Sequence, residues 1–86
     1  MMVNISSRHT DQIGAIVQFH RKKAGLSRNR LAMIAGVGKT VIYDIEHGKE
    51  TVRLITLLKV LDALNISVNM VSPLMEQYEA TGNAQG

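Results

Sequence analysis

The sequence predicts a small, mostly α-helical domain of four to five helices with one β-strand near its C-terminus. Three observations carry this prediction. Apolar residues recur at helical spacing in four successive segments between residues 10 and 64. Gly25, Gly36 and Gly48 stand where three of those segments stop. The hexapeptide Ile66-Ser67-Val68-Asn69-Met70-Val71 alternates apolar and polar residues over its first five positions and is rich in β-branched side chains, which is the pattern of a strand.

The elements follow in order. Residues 1–9 are polar without a period and read as a flexible arm. Thr10 or Asp11 is placed to cap the first helix. Ile13, Val17, His20 and Ala24 form one face of it, so His20 is expected inside, and Gly25 ends it. Ser27 caps the second helix, whose inner face is Leu31, Ala32 and Ala35, and Gly36 stops it. The turn Gly36-Val37-Gly38 is short enough to force a sharp angle between two helices. The third helix is expected from Gly38 or Lys39 to His47, with Val41, Ile42 and Ile45 inside. The fourth, from about Arg53 to Leu64, carries the stripe Leu54, Leu57, Leu58, Leu61 and Leu64, and Asn65 can close it. A lone strand at 66–71 leaves its backbone groups unpaired. The simplest partner is the same strand of a second copy, which would also cover Ile66, Val68 and Met70. The domain is thus expected over residues 10–72. Pro73 ends the strand, and residues 73–86 are expected to be a disordered tail.

Composition narrows the function classes. The chain has 86 residues and no cysteine, so it holds one domain and neither a disulfide framework nor a zinc ribbon. Aromatic residues make up 3%, too few for a stacking platform for single strands. No secretory signal is visible and no apolar run reaches membrane-spanning length, so a cytoplasmic location without membrane contact is expected. The net charge is +3, with a pI near 9.6. Residues 1–50 carry eight basic and four acidic side chains, whereas residues 51–86 carry two and three. A positive surplus concentrated over the first three helices suits a surface that faces phosphates.

Catalytic and metal chemistry find no footing. Gly36-Val37-Gly38-Lys39-Thr40 resembles the end of a phosphate-binding loop, but that pattern needs glycine where Met33 stands, and a strand where the sequence reads as helix. His9, His20 and His47 lack metal-ligand spacing, and no nucleophile–base set recurs. The expectation is a protein without enzymatic activity, cofactor or metal.

Two short helices around a glycine turn in a basic segment form a helix-turn-helix. Gly25-Leu26-Ser27, Leu31-Ala32, Ala35-Gly36-Val37 and Ile42-Tyr43-Asp44-Ile45-Glu46-His47-Gly48-Lys49 resemble the lambdoid-repressor, or XRE, family of DNA-binding domains over roughly residues 13–64. Thr51-Val52-Arg53-Leu54 and the strand after Leu64 resemble a narrower group, the HipB-type antitoxins. That resemblance implies a lambda-repressor-like fold and a homodimer joined by C-terminal strands. It implies a repressor that binds a palindromic double-stranded operator, controls its own operon and binds a HipA-type kinase toxin.

By family position, Gly38, Lys39, Thr40, Tyr43 and Asp44 would meet base edges in the major groove. Gly38 departs from the serine or threonine usual at its position, removing one side-chain contact. Arg28 matches a phosphate-contact position, and the backbone N–H groups that follow Ser27 add an anion site. Asn29, Lys49 and Arg53 are further phosphate candidates. Arg21 and Glu46 match an internal ion pair between the first and third helices. Ile16 and Phe19 stand where the family usually has polar residues, as a candidate toxin contact or as scattered exposed apolar residues. Two alternatives stay open: an XRE-type regulator without a toxin, and a protein-interaction adaptor that has lost DNA binding.

Overall fold

The computed structural model describes residues 2–81 and contains five helices. They are α1 (Asp11–Lys23), α2 (Arg28–Ala35), α3 (Val41–Glu46), α4 (Leu54–Ala63) and α5 (Met75–Ala80). The third and fourth elements are shorter than the sequence pattern suggested. Gly38–Thr40 form a turn in which the Val41 N–H reaches the Gly38 carbonyl at 3.2 Å, so α3 begins two or three residues late.

One closure ends all of the first four helices. The residue in left-handed backbone conformation is Gly25 (φ +71°), Gly36 (φ +73°), Gly48 (φ +81°) or Asn65 (φ 60°). The next residue then donates its N–H back to a carbonyl five positions earlier: Leu26 to Arg21, Val37 to Ala32, Lys49 to Asp44 and Ile66 to Leu61, at 2.9 to 3.1 Å. Leu26, Val37 and Ile66 also pack against the core, the apolar contact that accompanies this motif. At the third site Lys49 replaces the apolar residue and its Nζ lies 3.6 Å from Asp44. At the N-termini, the Ser27 hydroxyl accepts from the Arg30 N–H at 3.0 Å. Thr10 precedes α1, but its hydroxyl donates to Glu50 at 3.2 Å and does not cap the helix.

The core is Val17, Leu31, Ala32, Ile42, Ile45, Val60 and Leu61, drawn from the first four helices. Helix α1 packs on α3, and α2 packs on both α3 and α4. The approach of α1 to α3 depends on Gly14. A β-carbon there would lie 2.4 Å from the Ile45 carbonyl oxygen and 2.9 Å from that of Glu46.

The structure of the single chain departs from four expectations. His20 is exposed; the buried side of α1 is Gly14, Val17 and Arg21. A period search does not place an arginine inside, and Arg21 is there because its charge is paired. Residues 66–72 form no strand within the single chain, for want of a ladder partner among the described residues. Ile66 packs on the chain's own core, while Val68 and Met70 are exposed, so the three residues do not share one free face. The tail expected to be disordered from residue 73 instead contains α5, with none of its residues buried. The part of that expectation covering residues 82–86 lies outside the described residues, as does Met1 of the arm.

Candidate nucleic-acid interface

Helices α2 and α3 and the turn between them form a helix-turn-helix whose inner side is fixed by Leu31, Ala32, Ile42 and Ile45. The other side carries the candidate contacts. Gly38, Lys39, Thr40 and Tyr43 are exposed along the turn and the first turn of α3. A β-carbon on Gly38 would meet only the Val41 side chain, at 3.8 Å, so no steric demand keeps that position a glycine. Asp44 is half-buried and pairs with the exposed Lys49. Ser27, Asn29, Lys49 and Arg53 are exposed, and Arg28 is half-buried at the first position of α2.

The ion pair implied by the resemblance is present and larger than two residues. Arg21 donates through Nε to Glu46 Oε2 at 2.6 Å and through Nη2 to Oε1 at 3.1 Å. Its Nη1 donates to the Leu26 carbonyl at 2.9 Å, which ties the α1–α2 connection into the same contact. Arg28 donates through Nε to Glu46 Oε1 at 3.0 Å, and Gln18 Nε2 reaches the same oxygen at 3.5 Å. The Glu46 side chain has no solvent exposure. Burial pushes its carboxyl up, but hydrogen bonds and charge from Arg21 and Arg28 outweigh that and hold it below its ordinary value. The same hydrogen bond raises Arg21, against the opposing effect of burial.

Three features escaped the sequence reading. The Tyr43 and His47 rings stack with centroids 3.8 Å apart, and the His47 Nδ1–H donates to the Tyr43 carbonyl at 2.8 Å. Their spacing of four on a helix was the available signal. The Arg28 guanidinium lies 5.3 Å from the Tyr43 ring centroid, a contact between helices that no local pattern reveals. Gly14 carried no signal beyond being a glycine inside a helix. Ile16 and Phe19 part company: Ile16 is half-buried in a groove with Leu54, Leu57 and Leu58, while Phe19 is exposed beside Lys23.

The result is an exposed polar turn and helix start, backed by the buried side chains of α2 and α3. The family model described as "Helix-turn-helix" matches residues 19–70, and the chain belongs to that family, of XRE type. It is 41% identical over 61 residues to an uncharacterized HTH-type transcriptional regulator, y4mF, of Sinorhizobium fredii, an overlap of 71% of this chain and 80% of that protein. Its fold is similar to that of a solved structure named MDT Protein, with a TM-score of 0.72, 22% identity, and coverage of 84% of this chain and 99% of that one. Among the described residues no helix is long and apolar enough to cross a membrane.

Proposed function

We propose that the chain is a transcriptional repressor that binds double-stranded DNA as a homodimer and has no enzymatic activity. The observation that carries this reading is the exposed set Lys39, Thr40 and Tyr43, held on a helix start whose other side is the buried pair Ile42 and Ile45. Lys39 and Thr40 present donors to base edges, Gly38 allows close backbone approach, and Tyr43 reaches a base or sugar. Asp44 acts from its pairing with Lys49. Arg28, Asn29, Lys49, Arg53 and the N–H groups after Ser27 serve the phosphates. The surplus of seven basic over two acidic side chains between residues 20 and 49 supports the reading over that of an adaptor without DNA. So does the name of the Sinorhizobium relative.

The test begins with selection of duplexes from a random pool. Replacing Lys39 and Thr40 with alanine is expected to abolish discrimination for the selected sequence, at about 1–3 kcal/mol per base contact, while the fold persists by circular dichroism. Undiminished discrimination would remove the turn before α3 from the interface, and an empty selection would favour the adaptor.

The dimer is assigned to residues 66–71, where Val68, Met70 and Val71 are 57%, 81% and 82% exposed. Strand pairing with a second copy would satisfy that backbone and cover those side chains. The resemblance to HipB-type antitoxins adds a HipA-type kinase toxin as partner, with the exposed Phe19 and the half-buried, groove-lining Ile16 as separate contact candidates. Co-purification with a HipA-type kinase encoded beside the gene tests this; without such a complex the stand-alone regulator is the reading that remains.

A further inference from the structure

We propose that Glu46, which cannot itself touch DNA, is a positioning residue for DNA binding: it holds Arg28 so that the terminal nitrogens of that arginine are presented to a phosphate. This rests on the DNA-binding reading above. A buried carboxylate needs one cation beside it, and Arg21 meets that need by contacting both oxygens. Arg28 is therefore a second guanidinium on a carboxylate already neutralised, and the three groups together keep one net positive charge. Only Nε of Arg28 is used, in its 3.0 Å bond to Glu46. Among the described residues neither terminal nitrogen has a hydrogen-bond partner, and the side chain is 38% exposed. The guanidinium is steadied a second time by the Tyr43 ring at 5.3 Å.

An arginine anchored at Nε and against a ring has its plane set before any ligand arrives. Its remaining four N–H donors point as a fork that matches two phosphate oxygens. A free arginine would lose side-chain freedom on binding, and this one has lost it already. Lysine cannot replace it, because it lacks both the Nε–H donor and the plane.

The experiment measures anisotropy of a short fluorescein-labelled duplex of mixed sequence over a range of salt. The proteins are the wild type, R28K, R28Q, E46Q and the double variant E46Q/R28Q, each checked by circular dichroism. R28K is expected to bind about tenfold more weakly than the wild type, close to R28Q, despite its retained charge. R28Q is expected to lower the salt slope by about 0.9 per protomer. E46Q is expected to weaken binding when Arg28 is present and to add nothing once Arg28 is gone, the non-additivity of residues acting through one another. Should E46Q fail to fold, R28K decides alone. Wild-type affinity in R28K, or an equal loss from E46Q in both backgrounds, overturns the positioning role while DNA binding stands. A wild type that binds no duplex overturns both.

Discussion

Adding one methyl group at Gly14 tests how α3 is held against the body of the protein. In Gly14→Ala the new β-carbon would lie 2.4 Å and 2.9 Å from the carbonyl oxygens of Ile45 and Glu46. Both obstacles are backbone, so no side chain can swing aside, and α1 and α3 must move apart. Overpacking of this kind costs about 1–3 kcal/mol, and two backbone clashes place it at the upper end. Alanine regains about 0.8–1.0 kcal/mol of helix propensity over glycine. The balance is a loss of about 2 kcal/mol. For a domain of this size that lowers Tm by roughly 8–16 °C. A thermal melt followed by circular dichroism reads it directly. Ala15→Gly is the companion, because Ala15 is the exposed neighbour on the same helix and should lose only the propensity. A Gly14→Ala protein that melts at or above the wild-type temperature would refute the claim that this glycine sets the α1–α3 distance.

Stability should also depend on acid through Glu46. Its carboxyl is held below the ordinary value, so its contribution is complete above the unfolded-state pKa near ~4.3 and is lost as pH falls through the lower folded value. Urea titrations from pH 7 downward should show that loss below the usual carboxylate range, and a loss centred at neutral pH would contradict it. Val68→Pro should leave the melt of the monomer unchanged, since residue 68 is exposed and in no ladder, but should abolish dimers in sedimentation if residues 66–71 pair between copies. Gly38→Ser should keep stability within about 0.5 kcal/mol of the wild type, because the space at Gly38 is open, while changing the preferred duplex sequence. A large destabilisation would show that the backbone there is more constrained than its surroundings imply.

The architecture was legible where local chemistry decides it. Gly25, Gly36, Gly48 and Asn65 mark four helix ends correctly because left-handed backbone conformation is a property of single residues. The core followed from the periodicity of Leu31, Ala32, Ile42, Ile45 and Leu61. Where pairing between distant residues decides, legibility fell. Arg21 and Glu46 were reachable only through the family resemblance, and the attachment of Arg28 to both Glu46 and Tyr43 has no trace in local spacing. Helix α5 escaped because six residues are too few to display a period. Residues 66–71 have strand chemistry without a strand partner, and a pattern within one chain cannot supply one.

The closures at Gly36 and Gly48 bear on more than where helices stop. They lock both ends of the segment that carries α3, and the buried Ile42 and Ile45 fasten its middle. If α3 enters a groove as proposed, its angle there is set by these contacts more than by the duplex. Any duplex that docks on it must supply the fit by bending or narrowing, at an elastic cost set by its own base steps. If two copies bind one operator as proposed, sequence preference should extend to base pairs lying between the two half-sites, where only stiffness is read.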